Sequence, residues 1–122
     1  MTRSVSPKVF FKRFFLKLNY FVNNNYKNFD IYIGSPGGYM NSYYGLKKCL
    51  LPLVAAKKSN KKTAVYSQSI GPLNQRDTNL LSEFGKSIDM FLVRDNYSRI
   101  CAETALPRSK ILQTKDAAFL LK

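Results

Sequence analysis

The fold of this 122-residue chain is decided by the stretch Tyr66-Ser67-Gln68-Ser69-Ile70-Gly71-Pro72. A short apolar run at residues 63–66 leads into it, and a helical pattern follows from about Thr78. Polar, Gly and Pro residues after a short strand are typical of the carboxyl edge of an open parallel sheet, where ligands bind. We therefore expect a loop here that contributes no core and binds a polar ligand.

Two similar strand ends flank this stretch. Residues 31–33 (IYI) lead into residues 34–38 (GSPGG), and residues 90–93 (MFLV) lead into Arg94 and Asp95. Because the carboxyl ends of parallel strands meet at one edge of a sheet, we expect the three loops to form a single binding edge.

Strand and helix patterns alternate along the chain. Short apolar runs predict strands near residues 31–33, 63–66, 90–93 and 111–114. Between these runs the apolar residues recur at the spacing of a helix. Pro52 is expected to kink the first helix or to end its first half. Asp77 or Thr78 is placed to cap the second helix, and Asp95 to cap the third. This alternation indicates the α/β class, with a parallel, Rossmann-like sheet.

Residues 8–22 (KVFFKRFFLKLNYFV) have the pattern of an amphipathic helix. Apolar residues recur on one face, and Lys12, Arg13 and Lys17 lie toward the other. One interpretation is a helix on an anionic membrane surface, which would give the protein a peripheral membrane contact. The other, which we favour, is a domain helix whose Phe face packs against the sheet.

The chain is strongly basic, with a formal net charge of +13. Residues 1–62 hold twelve Lys and Arg against one acid, or +11, and residues 63–122 hold eight against six, or +2. This charge suits phosphates, acidic glycans, a membrane surface or nucleic acid, although lysine pairs usually form solvated faces. A nucleic-acid-binding protein is disfavoured, because the aromatic residues follow core periodicity and no nucleic-acid-binding motif is present.

Composition disfavours two further classes of protein. The sequence lacks an uncharged apolar run of about eighteen residues, so no membrane-spanning helix is predicted. Its two cysteines, Cys49 and Cys101, are far apart, and the sequence has no histidine. We therefore expect reduced thiols and no metal site.

Four segments together resemble those of the polysaccharide pyruvyl transferases. They are residues 29–42 (FDIYIGSPGGYMNS), 65–76 (VYSQSIGPLNQR), 87–103 (SIDMFLVRDNYSRICAE) and 111–121 (ILQTKDAAFLL). The family has a Gly-rich turn after an apolar strand, a QSIGP-like strand end, a VRD segment and a closing T-x-D-x-A-F segment. All four occur here in that order, and the resemblance covers about residues 29–121.

The resemblance implies an enzyme that transfers the carboxyvinyl (pyruvyl) part of phosphoenolpyruvate to sugar hydroxyls of a cell-surface polysaccharide. Family members look like two-domain, GT-B-like proteins with the active site between two Rossmann-like halves. We therefore predict a partial Rossmann-like fold, a GT-B-type half that forms a three-layer sandwich with a mostly parallel sheet. Residues 1–28 would form a basic, Phe-rich helix and linker, and residues 29–122 the Rossmann-like portion.

The resemblance also implies the partners and the location. Phosphoenolpyruvate would be the donor substrate, with no bound cofactor. The acceptor would be a sugar or a polysaccharide, and a lipid-linked acceptor is one alternative. The protein would be cytoplasmic, with the inner face of the membrane as the alternative location.

The matching motifs imply a set of residues that line the cleft. Arg94 would clamp a carboxylate or phosphate, or else pair with Asp116 to brace adjacent loops. Asp95 and Ser98 would contact substrate, or else only cap a helix. Asp116 is the candidate catalytic residue, as a general base for a sugar hydroxyl, or else it hydrogen-bonds main chain. The predicted substrate-binding residues are Gly37, Gly38, Gln68, Ser69, Gly71, Arg94, Asp95 and Ser98.

The chain also departs from the family pattern. The family's opening strand and its C-terminal half have no match here, and basic residues of that half are expected to hold phosphoenolpyruvate. We therefore expect the isolated chain to be inactive, either as part of a longer enzyme or as a truncated relative that binds a glycan or an anionic ligand. We also expect an exposed sheet edge that invites self-association, with the helix at residues 8–22 covering part of the exposed surface.

Overall fold

The structure is a computed structural model that describes Lys12, Arg13, Leu16 and residues 28–120. In this part of the chain the strands are β1 (Ile31–Gly34), β2 (Gly37–Met40), β3 (Lys62–Ile70), β4 (Met90–Val93) and β5 (Ile111–Gln113). The helices are α1 (Leu46–Lys58), α2 (Gln75–Phe84) and α3 (Asn96–Ala105). Short 3-10 turns cover Gly85–Ser87 and Ala117–Leu120.

The strands form one parallel sheet with β3 at its centre. β1 pairs with the first half of β3 and β2 with the second half, so both lie along the same side of that strand. β4 lies on the other side of β3, and β5 follows β4. From β2 onward, a helix connects each strand to the next, which confirms the predicted α/β, Rossmann-like class.

The three helices pack side by side, and the main core lies between them and one face of the sheet. Val65 and Phe91 point from β3 and β4 into this core and are fully buried. Leu50 of α1 and Leu80 and Leu81 of α2 meet them there and are equally inaccessible. This burial of apolar surface holds the strand ends in place.

The opposite face of the sheet is also apolar but more exposed. In-register pairing and alternation place on it Ile31, Ile33, Ala64, Tyr66, Met90, Leu92 and Leu112. Parallel sheets are usually covered on both faces, because helical crossovers lie on both sides. The described residues therefore supply the sheet and one helical layer of the predicted three-layer sandwich.

Residues 66–72, which the sequence predicts to be a binding loop, form a strand for most of their length. β3 continues through Ile70, so the expectation of a loop without core residues is wrong. Ser67 and Gln68 are fully buried, and a positive φ of 50° at Ser67 accompanies a shift in register between β3 and β4. The strand persists because neighbours on both sides satisfy its main chain.

A further strand begins inside the predicted Gly-rich loop. Gly37 opens β2, which the sequence analysis assigned to a loop. β1 ends just before Ser35 and Pro36, and proline has no N–H with which to continue the pairing. After this break the chain pairs with β3 again, with Gly37 opposite Gln68.

The predicted helix boundaries are partly correct. Asp95 caps α3, as predicted, and accepts a hydrogen bond from the main chain one turn later. The cap of α2 is Asn74 rather than Asp77 or Thr78, and its side chain accepts a hydrogen bond from Asp77 N at 2.8 Å. Of the two alternatives for Pro52, the one in which it ends the first half of α1 is wrong, because the helix continues to Lys58 while its apolar face stays buried. A kink at Pro52 stays a prediction.

The prediction for residues 8–22 lies largely outside the described residues. Lys12, Arg13 and Leu16 are helical and exposed. The Phe face, its packing and the predicted membrane contact remain predictions. No helix in the described part of the chain is long and apolar enough to cross a membrane. Within residues 28–120, β1 and β5 have no strand on their outer edges, and self-association there also remains a prediction.

Candidate functional site

Arg94 is the centre of a polar cluster at the carboxyl edge of the sheet. Its main-chain N–H donates to Gln68 O at 3.2 Å and so extends the pairing of β4 with β3. Its guanidinium donates from Nε to Ser69 Oγ at 2.6 Å and from Nη1 to Asp116 Oδ2 at 3.3 Å. The guanidinium thus joins the ends of β3 and β4 to the segment that follows β5.

The remaining guanidinium nitrogen faces Gly38. A Cβ atom at Gly38 would lie 3.1 Å from Arg94 Nη2, which is tighter than most real contacts. Among the described residues no group accepts a hydrogen bond from Nη2. The missing side chain at Gly38 therefore leaves room beside a guanidinium nitrogen that can still donate.

Asp95 belongs to the same cluster and also begins a helix. Its Oδ1 accepts from Ser98 N at 2.7 Å, and its Oδ2 accepts from Ser69 Oγ at 3.2 Å. Burial raises the pKa of the Asp95 carboxyl, but the hydrogen bonds from Ser98 and Ser69 outweigh it. The positive charge of Arg94 acts in the same direction as those bonds, and the pKa is held below its ordinary value.

Asp116 makes both of the non-catalytic contacts predicted for it, the pair with Arg94 and a hydrogen bond to main chain. Its Oδ2 pairs with Arg94, and its Oδ1 accepts from Ala118 N at 3.0 Å. The Asp116 side chain is 35% exposed and that of Arg94 is 29% exposed, so the pair is only partly removed from water. The Asp116 carboxylate is accessible to a ligand, and its role as a general base remains a prediction.

Gln68 and Ser98 are buried, and main-chain groups occupy their polar atoms. Gln68 Oε1 accepts from Tyr39 N at 3.1 Å, and Nε2 donates to Ser35 O at 3.0 Å. The amide therefore bridges the break between β1 and β2. Ser98 Oγ accepts from Ile70 N at 2.9 Å and satisfies the end of β3. These contacts assign structural roles to both residues, and substrate contact by either one stays a prediction.

Close packing accounts for two of the predicted glycines. Gly71 has a φ of +96°, and a Cβ atom there would lie 2.8 Å from Cys101 Sγ. A Cβ atom at Gly37 would lie 2.6 Å from the ring of Tyr39. Gly71 therefore needs glycine for its backbone conformation, and a side chain at Gly37 would have to displace the Tyr39 ring. Substrate contact by either glycine stays a prediction.

Two serines that organise this edge were not among the predicted site residues. Ser67 Oγ accepts from Ala117 N at 2.7 Å and ties the segment after Asp116 to β3. Ser42 Oγ donates to Asp77 Oδ2 at 2.7 Å and accepts from Asn74 N at 2.7 Å, which links the loop after β2 to the start of α2. The available signal was a serine beside the end of an apolar run, but the partners of both serines are far away in the sequence.

The cluster can engage two kinds of ligand. Arg94 contributes one positive charge and Asp95 and Asp116 contribute two negative ones, a formal balance of −1. Carboxylates accept hydrogen bonds from sugar hydroxyls, and Nη2 can donate to a carboxylate or phosphate oxygen. No group of three or more His, Cys, Asp or Glu side chains that could hold a metal ion occurs in the described part of the chain.

Comparison with known proteins gives one result. The family model described as polysaccharide pyruvyl transferase matches residues 2–122, nearly the whole chain. No curated protein and no solved structure matches the chain. The match includes the segments that carry Gly38, Ser69, Arg94 and Asp116.

Proposed function

The chain belongs to the polysaccharide pyruvyl transferase family, and we propose that it takes part in transfer of the pyruvyl group of phosphoenolpyruvate to hydroxyls of a polysaccharide sugar. When such a transfer forms a ketal, two sugar oxygens bond to C2 of the donor, C3 gains a proton and phosphate leaves. The site must therefore hold an anionic donor beside a neutral sugar and must accept hydroxyl protons. In this proposal the protein keeps its predicted cytoplasmic location.

Arg94 is the residue that would contact the donor. The observation that carries this assignment is its fixed guanidinium, which two neighbours hold while Nη2 faces the space beside Gly38. A guanidinium held in this way has lost its side-chain freedom before the ligand arrives, so less entropy is lost on binding. Nη2 would donate to a carboxylate or phosphate oxygen of phosphoenolpyruvate.

Asp116 would act on the acceptor. Its carboxylate is accessible, and Arg94 and Ala118 N fix its orientation. A sugar hydroxyl that hydrogen-bonds to Asp116 would lie beside the donor held by Arg94. In that position Asp116 would take the hydroxyl proton as the new C–O bond forms.

A second candidate function is glycan binding without transfer. Its support is the formal balance of −1, because two carboxylates beside one guanidinium favour sugar hydroxyls over a free anion. The two functions differ in whether the cluster responds to phosphoenolpyruvate. Binding of the donor through Arg94 supports the transferase, whereas binding of sugar alone supports the second candidate.

The test is a titration of the purified full chain with phosphoenolpyruvate, followed by calorimetry and by melting temperature. We expect a saturable response that raises the melting temperature, because a ligand that binds only the folded state stabilises it. Arg94→Ala should abolish this response. The matched control is Arg99→Ala, which removes the same side chain from a partly exposed position on α3, where it pairs with Glu103. A folded chain that does not respond, or an equal response from Arg94→Ala, would contradict the assignment.

A further inference from the structure

A second charged region lies at the amino edge of the sheet, opposite the Arg94 cluster. A cavity of about 570 Å³ opens there, lined by the amino ends of β1, β3 and β4, by Lys57 at the end of α1 and by Lys110 just before β5. Its floor consists of Ile31, Ala64 and Met90, which lie on the adjacent strands β1, β3 and β4. Cavities of this volume hold small ligands, and an apolar floor favours the hydrocarbon part of one.

One cation that lines the cavity is already paired. Lys57 Nζ lies 2.6 Å from Asp89 Oδ1. Asp89 Oδ2 accepts hydrogen bonds from Thr63 N at 2.8 Å and from Thr63 Oγ1 at 3.3 Å. These contacts join the end of α1 to the starts of β3 and β4. The Asp89 carboxylate is therefore occupied by protein groups.

Lys62 and Lys110 are two further cations at the cavity, and neither is paired with a carboxylate among the described residues. Both side chains are exposed and line the cavity. Alternation along the strands places Lys62 on the same face as Ala64, and Lys110 on the same face as Leu112. The lining thus has three cations and one carboxylate, a formal excess of +2.

We propose that this cavity binds an anionic amphiphile of the phosphate-ester class, with the phosphate between Lys62 and Lys110 and the hydrocarbon on the apolar floor. The excess charge selects an anion, and the floor selects an attached apolar group, so both halves of the ligand are recognised. This site goes beyond the proposed function, because Arg94 and Asp116 lie at the opposite edge of the sheet. Either site can exist without the other.

The test uses octyl phosphate as the probe and the full chain as the protein, with binding measured by calorimetry below the concentration at which the probe forms micelles. We expect saturable binding of octyl phosphate. Inorganic phosphate and octyl glucoside each lack one half of the ligand and should bind about ten-fold more weakly or worse. Tight binding of inorganic phosphate, equal to that of octyl phosphate, would overturn the role of the floor.

Two variants test the residues. Lys62→Ala with Lys110→Ala should weaken octyl phosphate binding about ten-fold, because two charged contacts are lost. Both lysines are exposed, so the fold should persist. Lys48→Ala with Lys86→Ala removes the same charge elsewhere and should leave the affinity unchanged. Equal affinity in both double variants would overturn the proposal.

The source of the phosphate ester is tested separately. If the ligand is a bilayer lipid, phosphatidylglycerol vesicles should bind the chain, and the Lys62 and Lys110 double variant should weaken that binding more than the control does. If the ligand is a free amphiphile, octyl phosphate should bind through the two lysines, while vesicle binding should be the same in both double variants.

A third variant tests the apolar floor. Ile31→Ser, a change at an exposed position, should weaken octyl phosphate binding but not the weak binding of inorganic phosphate.

Discussion

The two edges of the sheet hold two cation–carboxylate pairs that differ in construction. At the carboxyl edge, Arg94 and Asp116 are 29% and 35% exposed, and Arg94 also bonds to Ser69. At the amino edge, Lys57 and Asp89 are 37% and 41% exposed, and among the residues that the structure describes only the carboxylate has further partners. A planar guanidinium held at two points has a fixed direction, whereas an ammonium on a flexible stem acts as a point charge. The first edge is suited to positioning a ligand, and the second to attracting one.

Hydrogen bonding at the two edges also acts on the carboxyl groups. At the amino edge, the hydrogen bond from Lys57 lowers the pKa of Asp89 most. Burial raises that pKa, and the bonds from Thr63 lower it again, so that it stays below its ordinary value. At the carboxyl edge the pKa of Asp95 is lowered against the effect of burial. Both carboxyl groups therefore favour the charged form when the protein is folded.

The largest expected effect is at the carboxyl edge, on Gln68. Gln68→Leu should lower the free energy of unfolding by about 1 to 3 kcal/mol, because Gln68 is buried and the change leaves Tyr39 N and Ser35 O without their partner at a partly buried position. Urea unfolding measures this change. The control is Gln113→Leu, which makes the same substitution at an exposed position on β5. Equal effects of the two substitutions would show that Gln68 does not hold the break between β1 and β2.

Asp95 should give the next largest effect. Asp95→Ala should lower the free energy of unfolding by about 1 to 2 kcal/mol near neutral pH, because the cap of α3 and the bond from Ser69 are lost. The pKa of Asp95 is depressed in the folded state, so its stabilisation is present above the unfolded pKa of about 4 and is lost as the pH falls through the folded value.

The pH profile distinguishes this account from a loss of helix propensity alone. Unfolding of the wild type and of Asp95→Ala should be compared from about pH 7 down to about pH 3. The difference between them should narrow as the solution is acidified. A difference that is constant over this range would contradict the role assigned to the charged carboxylate.

The smallest expected effect is at the amino edge. Lys57→Met should lower the free energy of unfolding by at most about 1 kcal/mol, because the pair with Asp89 is more than a third exposed. The effect should shrink between about 0.05 M and about 1 M salt, since salt screens exposed charges. Lys86→Met is the control, because Lys86 pairs with Glu83 in a more exposed position. A salt-independent loss would show that Lys57 acts through packing instead.

Local chemistry explains what the sequence could predict. The strands β1, β3 and β4 follow from apolar runs, and the cap at Asp95 follows from its position one residue after Arg94, at the end of β4. The pairing of Arg94 with Asp116 could be anticipated, because a parallel sheet brings opposite charges at neighbouring strand ends together. The sequence left it as one of two alternatives, the other being contact of Arg94 with a ligand.

Long-range partners explain what the sequence could not predict. Gly37 and Gly38 have little intrinsic preference for a strand, and β2 exists because Gln68 and β3 satisfy its main chain from about thirty residues away. Ser67 and Gln68 looked like residues of a binding loop because they are polar. Their burial depends on partners at Ala117, Tyr39 and Ser35, which no local pattern reveals.

The most direct test of the central claim, that the carboxyl edge is the part of this chain that meets substrate, is an amide ¹H–¹⁵N NMR titration of the full chain with phosphoenolpyruvate. The predicted result is saturable shifts at Ser69, Arg94 and Asp116, with little change at Thr63 and Asp89. Shifts confined to the amino edge, or no shifts in a chain whose spectrum shows that it is folded, would contradict the claim.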